Sequence, residues 1–242
     1  MRFSLYFTLA HNRLPTELRR SIISFIKNAL TEANDGRYFT SFFQNTINKC
    51  YTFSVVLDKP VFSSECITIE KPRMKVSFSA TDESNGLGRI FLNCLIKQKH
   101  KTYPLALQNQ MTLDRIQLER EQKVVSDQVL VRTSPGGGLV VRNHDRDTNK
   151  DSYYCCDDAD FVTELERSLS DQLDRAGFKD TAITVTVVEA KKVIVSHLGL
   201  KLPVTVGYFI LSGNRFTLQY LLDAGIGSRR SQGFGKIDKV QV

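Results

Sequence analysis

The stretch TELRRSIISFIKNALTEAN, residues 16–34, does most to constrain the fold, because its apolar residues recur at helical spacing directly after a segment that alternates. Leu18, Ile22, Ile23, Phe25, Ile26 and Leu30 share one helix face, while RFSLYFTLA before them reads as a strand. Pro15 opens the helix, and Asn34, Asp35 and Gly36 stop it. A one-sided helix following a one-sided strand must lie on a sheet. Strands are predicted at Tyr51 to Leu57, Met74 to Ala80 and Met111 to Leu118, with a helix over Leu87 to Lys97. The order β-α-β-β-α-β is the ferredoxin-like unit, a four-stranded antiparallel sheet with two helices on one face.

The plan then repeats. VLVRTSPGGGLVVR reads as two strand segments about a glycine-rich turn, and DADFVTELERSLSDQLDRAG is an amphipathic helix ended by Gly177. TAITVTVVEAKKVIV and KLPVTVGYFILSG are β-branched and alternating, so both read as strands. The helical stretch FTLQYLLDAG, a glycine-rich loop and the strand KIDKVQV follow. The expected fold is α+β: tandem ferredoxin-like (RRM-like) domains over 1–124 and 125–242, packed side by side, with only the polar stretch Glu119 to Lys123 between them.

Charge limits the partner. Thirty-three Lys and Arg against 26 Asp and Glu give +7, which suits nucleic acid or an anionic surface. No apolar run reaches membrane-spanning length, and MRFSLYFTLA is too short before polar residues to be a secretory signal, so a cytoplasmic protein is expected. Cys50, Cys66, Cys94, Cys155 and Cys156 form neither a CxxC pair nor an even framework; reduced thiols and no zinc site are expected.

The loop GIGSRRSQGFG, residues 225–235, holds Gly225, Gly227, Gly233 and Gly235 around Arg229 and Arg230. Glycines allow positive φ and close backbone approach, so the loop's N–H groups and the two guanidinium groups form a candidate phosphate cradle. It is neither a Walker loop, lacking Gly-Lys-Ser/Thr, nor a dinucleotide fingerprint, since a helix precedes it and a strand follows. The plainer reading is a glycine-rich helix-to-strand connection.

The loop's pattern of Gly-hydrophobic-Gly, five residues, Gly-hydrophobic-Gly, with Ile226 and Phe234 as the hydrophobics, resembles the Cas-six family of CRISPR-associated guide-RNA-processing endoribonucleases, which belong to the RAMP proteins. MRFSLYF resembles the family's first strand and RLPTELRRSIISFIKNAL its proline-led first helix. KCYTFSVVL resembles the next strand, VVSDQVLVR the opening of the second half, and EAKKVIVSHLGLKLPVTVGYFILSGN the long hairpin before the loop.

The resemblance implies cleavage of repeat RNA without a metal or other cofactor. The ribose 2′-hydroxyl attacks the adjacent phosphate, leaving a 2′,3′-cyclic phosphate and a 5′-hydroxyl. The protein must supply alignment, proton transfer and positive charge for the phosphorane. Many relatives carry a histidine just after the first helix, where this chain reads DGRYFTSFFQNTIN, without one. Substitutes implied are Tyr38 as base or acid, Arg37 on the phosphorane, and Lys27, at a helix position where relatives can carry a tyrosine; His11 is the nearby histidine. Tyr or Lys, with pKa near 10, needs a shift of about 3 units, roughly 4 kcal/mol, to act as a base at neutral pH. A slow enzyme is expected.

RNA contacts are expected from Arg19, Arg20, Lys191, Lys192, Arg229 and Arg230, with Lys97, Lys99 and Lys101 adding charge. His100, His144 and His197 read as surface or RNA-facing. The expected partner is CRISPR repeat RNA, with effector-complex subunits as further candidates, no membrane, and a monomer or homodimer. The alternatives are a subunit that grips repeat RNA without cutting it, and a coat subunit of the same superfamily.

Overall fold

The computed structural model describes residues 1–43, 49, 51–81 and 86–240. The first half comprises β1 (Arg2–Leu9), β2 (Arg13–Pro15), α1 (Leu18–Glu32), α2 (Arg37–Phe43), β3 (Tyr51–Leu57), β4 (Val61–Phe62), β5 (Cys66–Thr68), β6 (Arg73–Ala80), α3 (Leu87–Ile96), β7 (Thr102–Pro104) and β8 (Gln110–Leu118). Its main sheet is antiparallel in the order β3-β6-β1-β8-β7. Alternation sends Phe3, Leu5, Phe7 and Leu9 of β1 to one face, where Ile22, Phe25, Ile26 and Leu30 of α1 meet them. Phe25 stands edge-on to Phe7 at 5.4 Å, and burying such a ring stabilises by about 2–3 kcal/mol. Asn34, Asp35 and Gly36 all take positive φ just after α1, which ends the helix where the sequence predicts.

The second half comprises β9 (Gln128–Thr133), β10 (Val141–Asp145), β11 (Lys150–Tyr154), α4 (Phe161–Arg175), β12 (Ile183–His197), β13 (Leu200–Gly213), α5 (Arg215–Ala224) and β14 (Ile237–Lys239). Its sheet runs β12-β13-β9-β14, again antiparallel. Counting only the four strands of the ferredoxin-like unit, both sheets have the spatial order second, third, first, fourth. The tandem ferredoxin-like α+β architecture is therefore present, with β7 as an added edge in the first half. Phe161, Leu165, Leu169 and Leu173 form the stripe by which α4 covers the second sheet.

One predicted element is different. VLVRTSPGGGLVVR is not a hairpin: β9 is a central strand, and the chain then crosses to the first half, where Gly136 accepts from the Val55 amide at 3.4 Å. It returns as β10, which pairs only with β11 in a separate two-stranded hairpin. A glycine-rich turn permits a hairpin, but the contact with β3 decides against one.

The uncovered face of the first sheet presses on the second half through polar side chains. Arg2, 1% exposed, donates to the carbonyls of Leu222 (3.3 Å) and Ile237 (3.0 Å) and pairs with Asp238. Ser79 Oγ donates to Asp223 O and Thr52 Oγ1 to Phe234 O, each at 2.7 Å. Lys236, 2% exposed, bonds Ser134 Oγ at 3.1 Å and Asp238 at 3.0 Å, and burial lowers its pKa to about 8. Buried polar groups need partners, and across this seam acceptors of the second half satisfy Arg2, Thr52 and Ser79 of the first, while Lys236 finds its partners within its own half. Cys66, Cys94, Cys155 and Cys156 are free thiols, and Cys50 lies outside the described residues. Among the described residues no helix is long and apolar enough to cross a membrane.

Candidate functional site

Helix α5 begins with an Asn214 cap, whose side chain accepts from the Phe216 amide, and ends at Gly225, where φ reaches 79°. The loop that follows folds back on itself. Ile226 donates to Gly235 O, Ser228 to Val140 O, Gly235 to Gly138 O, and Gln232 and Gly233 close a short 3-10 turn at Arg229 and Arg230. Gly225, Gly227, Gly233 and Gly235 are all buried. A Cβ on Gly235 would stand 2.1 Å from Ile226 O, so its close approach is to the protein's own backbone. Of the loop proposed as a cradle, five amides are engaged within the chain, and Ser228 to Gln232 are the residues that reach the surface.

That surface segment borders a cavity of about 270 Å³. Lys49, Arg142, Arg175, Arg229 and Arg230 line it, together with Ser168, Ser228, Ser231, Gln172 and Gly227. Five cations from four segments converge on one small space, an arrangement that attracts a phosphate and fixes its oxygens. Arg229 is held by Gln232 Oε1 at 3.1 Å and the Tyr153 hydroxyl at 2.6 Å. Arg230 donates to Ala224 O at 3.2 Å, and burial lowers its pKa. Gln172 Nε2 donates to Gly225 O at 2.8 Å, while its Oε1 is buried without a partner. Burial, and then the charge of Lys27, pull the Lys49 amine below its ordinary pKa.

The predicted residues meet different fates. Lys27 is exposed on α1 with Nζ 5.3 Å from the centre of the Phe43 ring, and Lys49 stands over the same ring at 5.4 Å. Lys27 is thus one ring away from a cavity-lining lysine. Arg37 opens α2 exposed, and Tyr38 is half-buried against the first core; neither lines the cavity. His11 accepts from the Arg13 amide through Nδ1 at 3.3 Å in the β1–β2 turn, also outside the cavity. Gln44 to Asn48 of the predicted catalytic stretch lie outside the described residues.

Arg19 and Arg20 diverge although adjacent, because neighbours on a helix point about 100° apart. Arg19 donates to Gly233 O (3.2 Å) and Gly136 O (3.0 Å), lies over Phe234 at 4.8 Å, and has its pKa lowered to about 10 by burial. It joins the halves, whereas Arg20 is exposed and pairs with Glu17 at 3.7 Å. Lys191 and Lys192 are exposed on β12, Lys192 facing Asp157 at 3.8 Å. Lys97 and Lys99 are exposed, and Lys101 binds Glu32 at 2.8 Å. His197 corrects another expectation. It is fully buried at the end of β12, bonded through Nε2 to Gln232 Oε1 at 3.0 Å and edge-on to Phe234.

Sequence reasoning missed Lys49, Arg142 and Arg175. Arg175 carried a faint signal, a cation in the last turn of a helix that Gly177 ends. Nothing local marks the other two.

Comparison with known proteins supplies the rest. No curated protein matches the chain by sequence. The doubled fold is similar to the solved structure of a RAMP protein binding different RNA substrates, at 16% identity and TM-score 0.80 with all of both chains covered. It is similar to the structure from a Cas6-related gene of Pyrococcus furiosus, at 14% identity and TM-score 0.82, covering 100% of this chain and 98% of that one. A Cas6 product complex aligns at 15% identity and TM-score 0.68, covering 99% of this chain and all of its own. These likenesses concern the fold. The model of the C-terminal part of the CRISPR-associated protein Cas6 matches residues 119–239, from the joint between the halves through the loop to β14. With the cation-lined loop inside that matched half and the doubled fold around it, the chain belongs to the Cas6 family of CRISPR-associated proteins.

Proposed function

We propose that this chain is an endoribonuclease that cuts CRISPR repeat transcripts into guide RNAs by attack of the 2′-hydroxyl on the adjacent phosphate, without a metal. The cation-lined cavity carries the reading, since a phosphorane gains negative charge that clustered guanidinium groups offset. Family membership supplies the substrate class, and the similar structures described as a product complex and as binding different RNA substrates agree with it.

Arg142, Arg175 and Arg229 grip the scissile phosphate and its neighbours, with Arg230 reinforcing the loop from below. Lys49 holds its proton less tightly than an ordinary lysine and donates it to the departing 5′-oxygen. Lys27, beside it across the Phe43 ring, is the best placed of the four residues expected to take part, and its charge adds to the burial that keeps the Lys49 proton labile. Tyr38 and Arg37 reach the RNA from α2 outside the cavity, and His11 does not face it. Arg20, Lys191 and Lys192 extend a salt-sensitive track for flanking nucleotides.

A second reading, grip without cutting, is favoured by one observation: no histidine lines the cavity among the described residues. Following end-labelled repeat RNA over time in EDTA separates the two. Cutting is expected, with cyclic-phosphate ends, and a 2′-deoxy residue at the junction should abolish it. Tight binding with no product favours the second reading; undiminished cutting of the deoxy substrate refutes the chemistry.

A further inference from the structure

The β10–β11 hairpin places a histidine and a carboxylate directly opposite each other. His144 pairs in register with Asp151, and Nδ1 lies 2.8 Å from Asp151 Oδ1. The same carboxylate collects Arg142 Nη1 at 3.1 Å, the Tyr153 hydroxyl at 3.2 Å and, at 4.0 Å, Arg229 Nη2. Both arginines, Arg142 and Arg229, line the cavity. Asp151 therefore ties the imidazole to the phosphate-gripping groups. His144 lies two residues along β10 from Arg142, on the same face, so their Cα atoms stand about 7 Å apart, a span that one ribose-phosphate unit covers.

We propose that His144, oriented by Asp151, is the proton acceptor for the 2′-hydroxyl, an inference that rests on the endoribonuclease reading above. A carboxylate that accepts from Nδ1–H fixes the tautomer that leaves a lone pair on Nε2, and the His144 side chain is 41% exposed, open to a substrate. In the step, Nε2 takes the 2′-hydroxyl proton as the 2′-oxygen bonds to phosphorus. The P–O5′ bond breaks, and the leaving oxygen takes the Lys49 proton. The charged groups around the imidazole are Asp151, Asp145 and Arg142 of its own hairpin, and Arg229 of the glycine loop. An imidazole is the side chain suited to proton transfer near neutral pH, where Tyr or Lys would need a shift of roughly 3 units. The dyad supplies the base that the stretch after α1 lacks.

Single-turnover cleavage of repeat RNA by wild type, His144→Gln and Asp151→Asn, with affinities measured in parallel, tests this. His144→Gln should lower the rate at least 100-fold while the dissociation constant stays within about threefold. Asp151→Asn should lower it less and move the rising limb of the pH-rate profile to lower pH, because the carboxylate no longer supports the imidazolium; a purely structural carboxylate would not move that limb. Wild-type cutting with an undiminished His144→Gln rate overturns the inference and leaves the endoribonuclease reading standing. Wild type that binds without cutting overturns both. Independently of activity, the His144 ring nitrogen resonances should shift on adding 2′-deoxy repeat RNA; unchanged resonances in the saturated complex refute the contact.

Discussion

Replacing Gly235 by alanine should be among the most damaging single changes in the loop, and its cost follows from two separable features. With φ at +73°, any L-residue there pays about 1–2 kcal/mol for the left-handed conformation. The added Cβ would also stand 2.1 Å from Ile226 O, so that carbonyl must move. Moving it disturbs two bonds the loop depends on, Ile226 N–H to Gly235 O at 2.8 Å and Gly235 N–H to Gly138 O at 2.7 Å, each about 1 kcal/mol. The sum is about 3–4 kcal/mol. Gly177→Ala is the control: φ is +86°, but nothing lies within 4 Å of its Cβ, so only the conformational cost of about 1–2 kcal/mol applies. Urea unfolding of both variants at constant m-value isolates the steric part, expected at about 2 kcal/mol, or about 4–8 °C in midpoint temperature for a chain of this size. If the two variants are equally stable to within about 0.5 kcal/mol, the packing account of the loop is wrong.

Two further outcomes are expected. Arg229→Met removes a cavity cation and the bond to Tyr153, so repeat-RNA affinity should weaken about tenfold or more and the slope of log K against log salt should become shallower by about 1; unchanged affinity and slope would remove Arg229 from the interface. His197 has its pKa lowered, first by burial and then by Arg19 and Arg229, so the unfolded chain binds its proton more readily than the folded one. Stability from the neutral imidazole is then present above about pH 6.5 and is lost as pH falls from there towards the depressed folded value. Melting temperature against pH should show an acid limb in wild type that His197→Asn flattens; identical limbs would refute the assignment.

The sequence made the two sheets legible because their apolar residues are one-sided. Leu18, Ile22, Phe25 and Leu30 can belong only to a helix on a sheet, and β12 and β13 have room for little but extended chain. What escaped depends on distant partners. The path after Gly136 is set by Val55, some eighty residues earlier, so local turn chemistry suggests a hairpin that does not form. The glycine loop was visible, but glycine signals close approach without saying to what, and the neighbour proved to be the chain itself. The cavity was illegible for the same reason. Lys49, Arg142 and Arg175 belong to separate segments, and Asp151 meets His144 only because a short hairpin sets their register.

The seam has a kinetic consequence. Arg2 binds Ile237 O and Asp238, partners 235 and 236 positions away along the chain. Each sheet can assemble from nearer neighbours, but this clasp must await the meeting of widely separated segments, whose entropy of encounter is lost before any bond repays it. Once it closes, the two sheets form a single cooperative unit, and damage at either terminus weakens both.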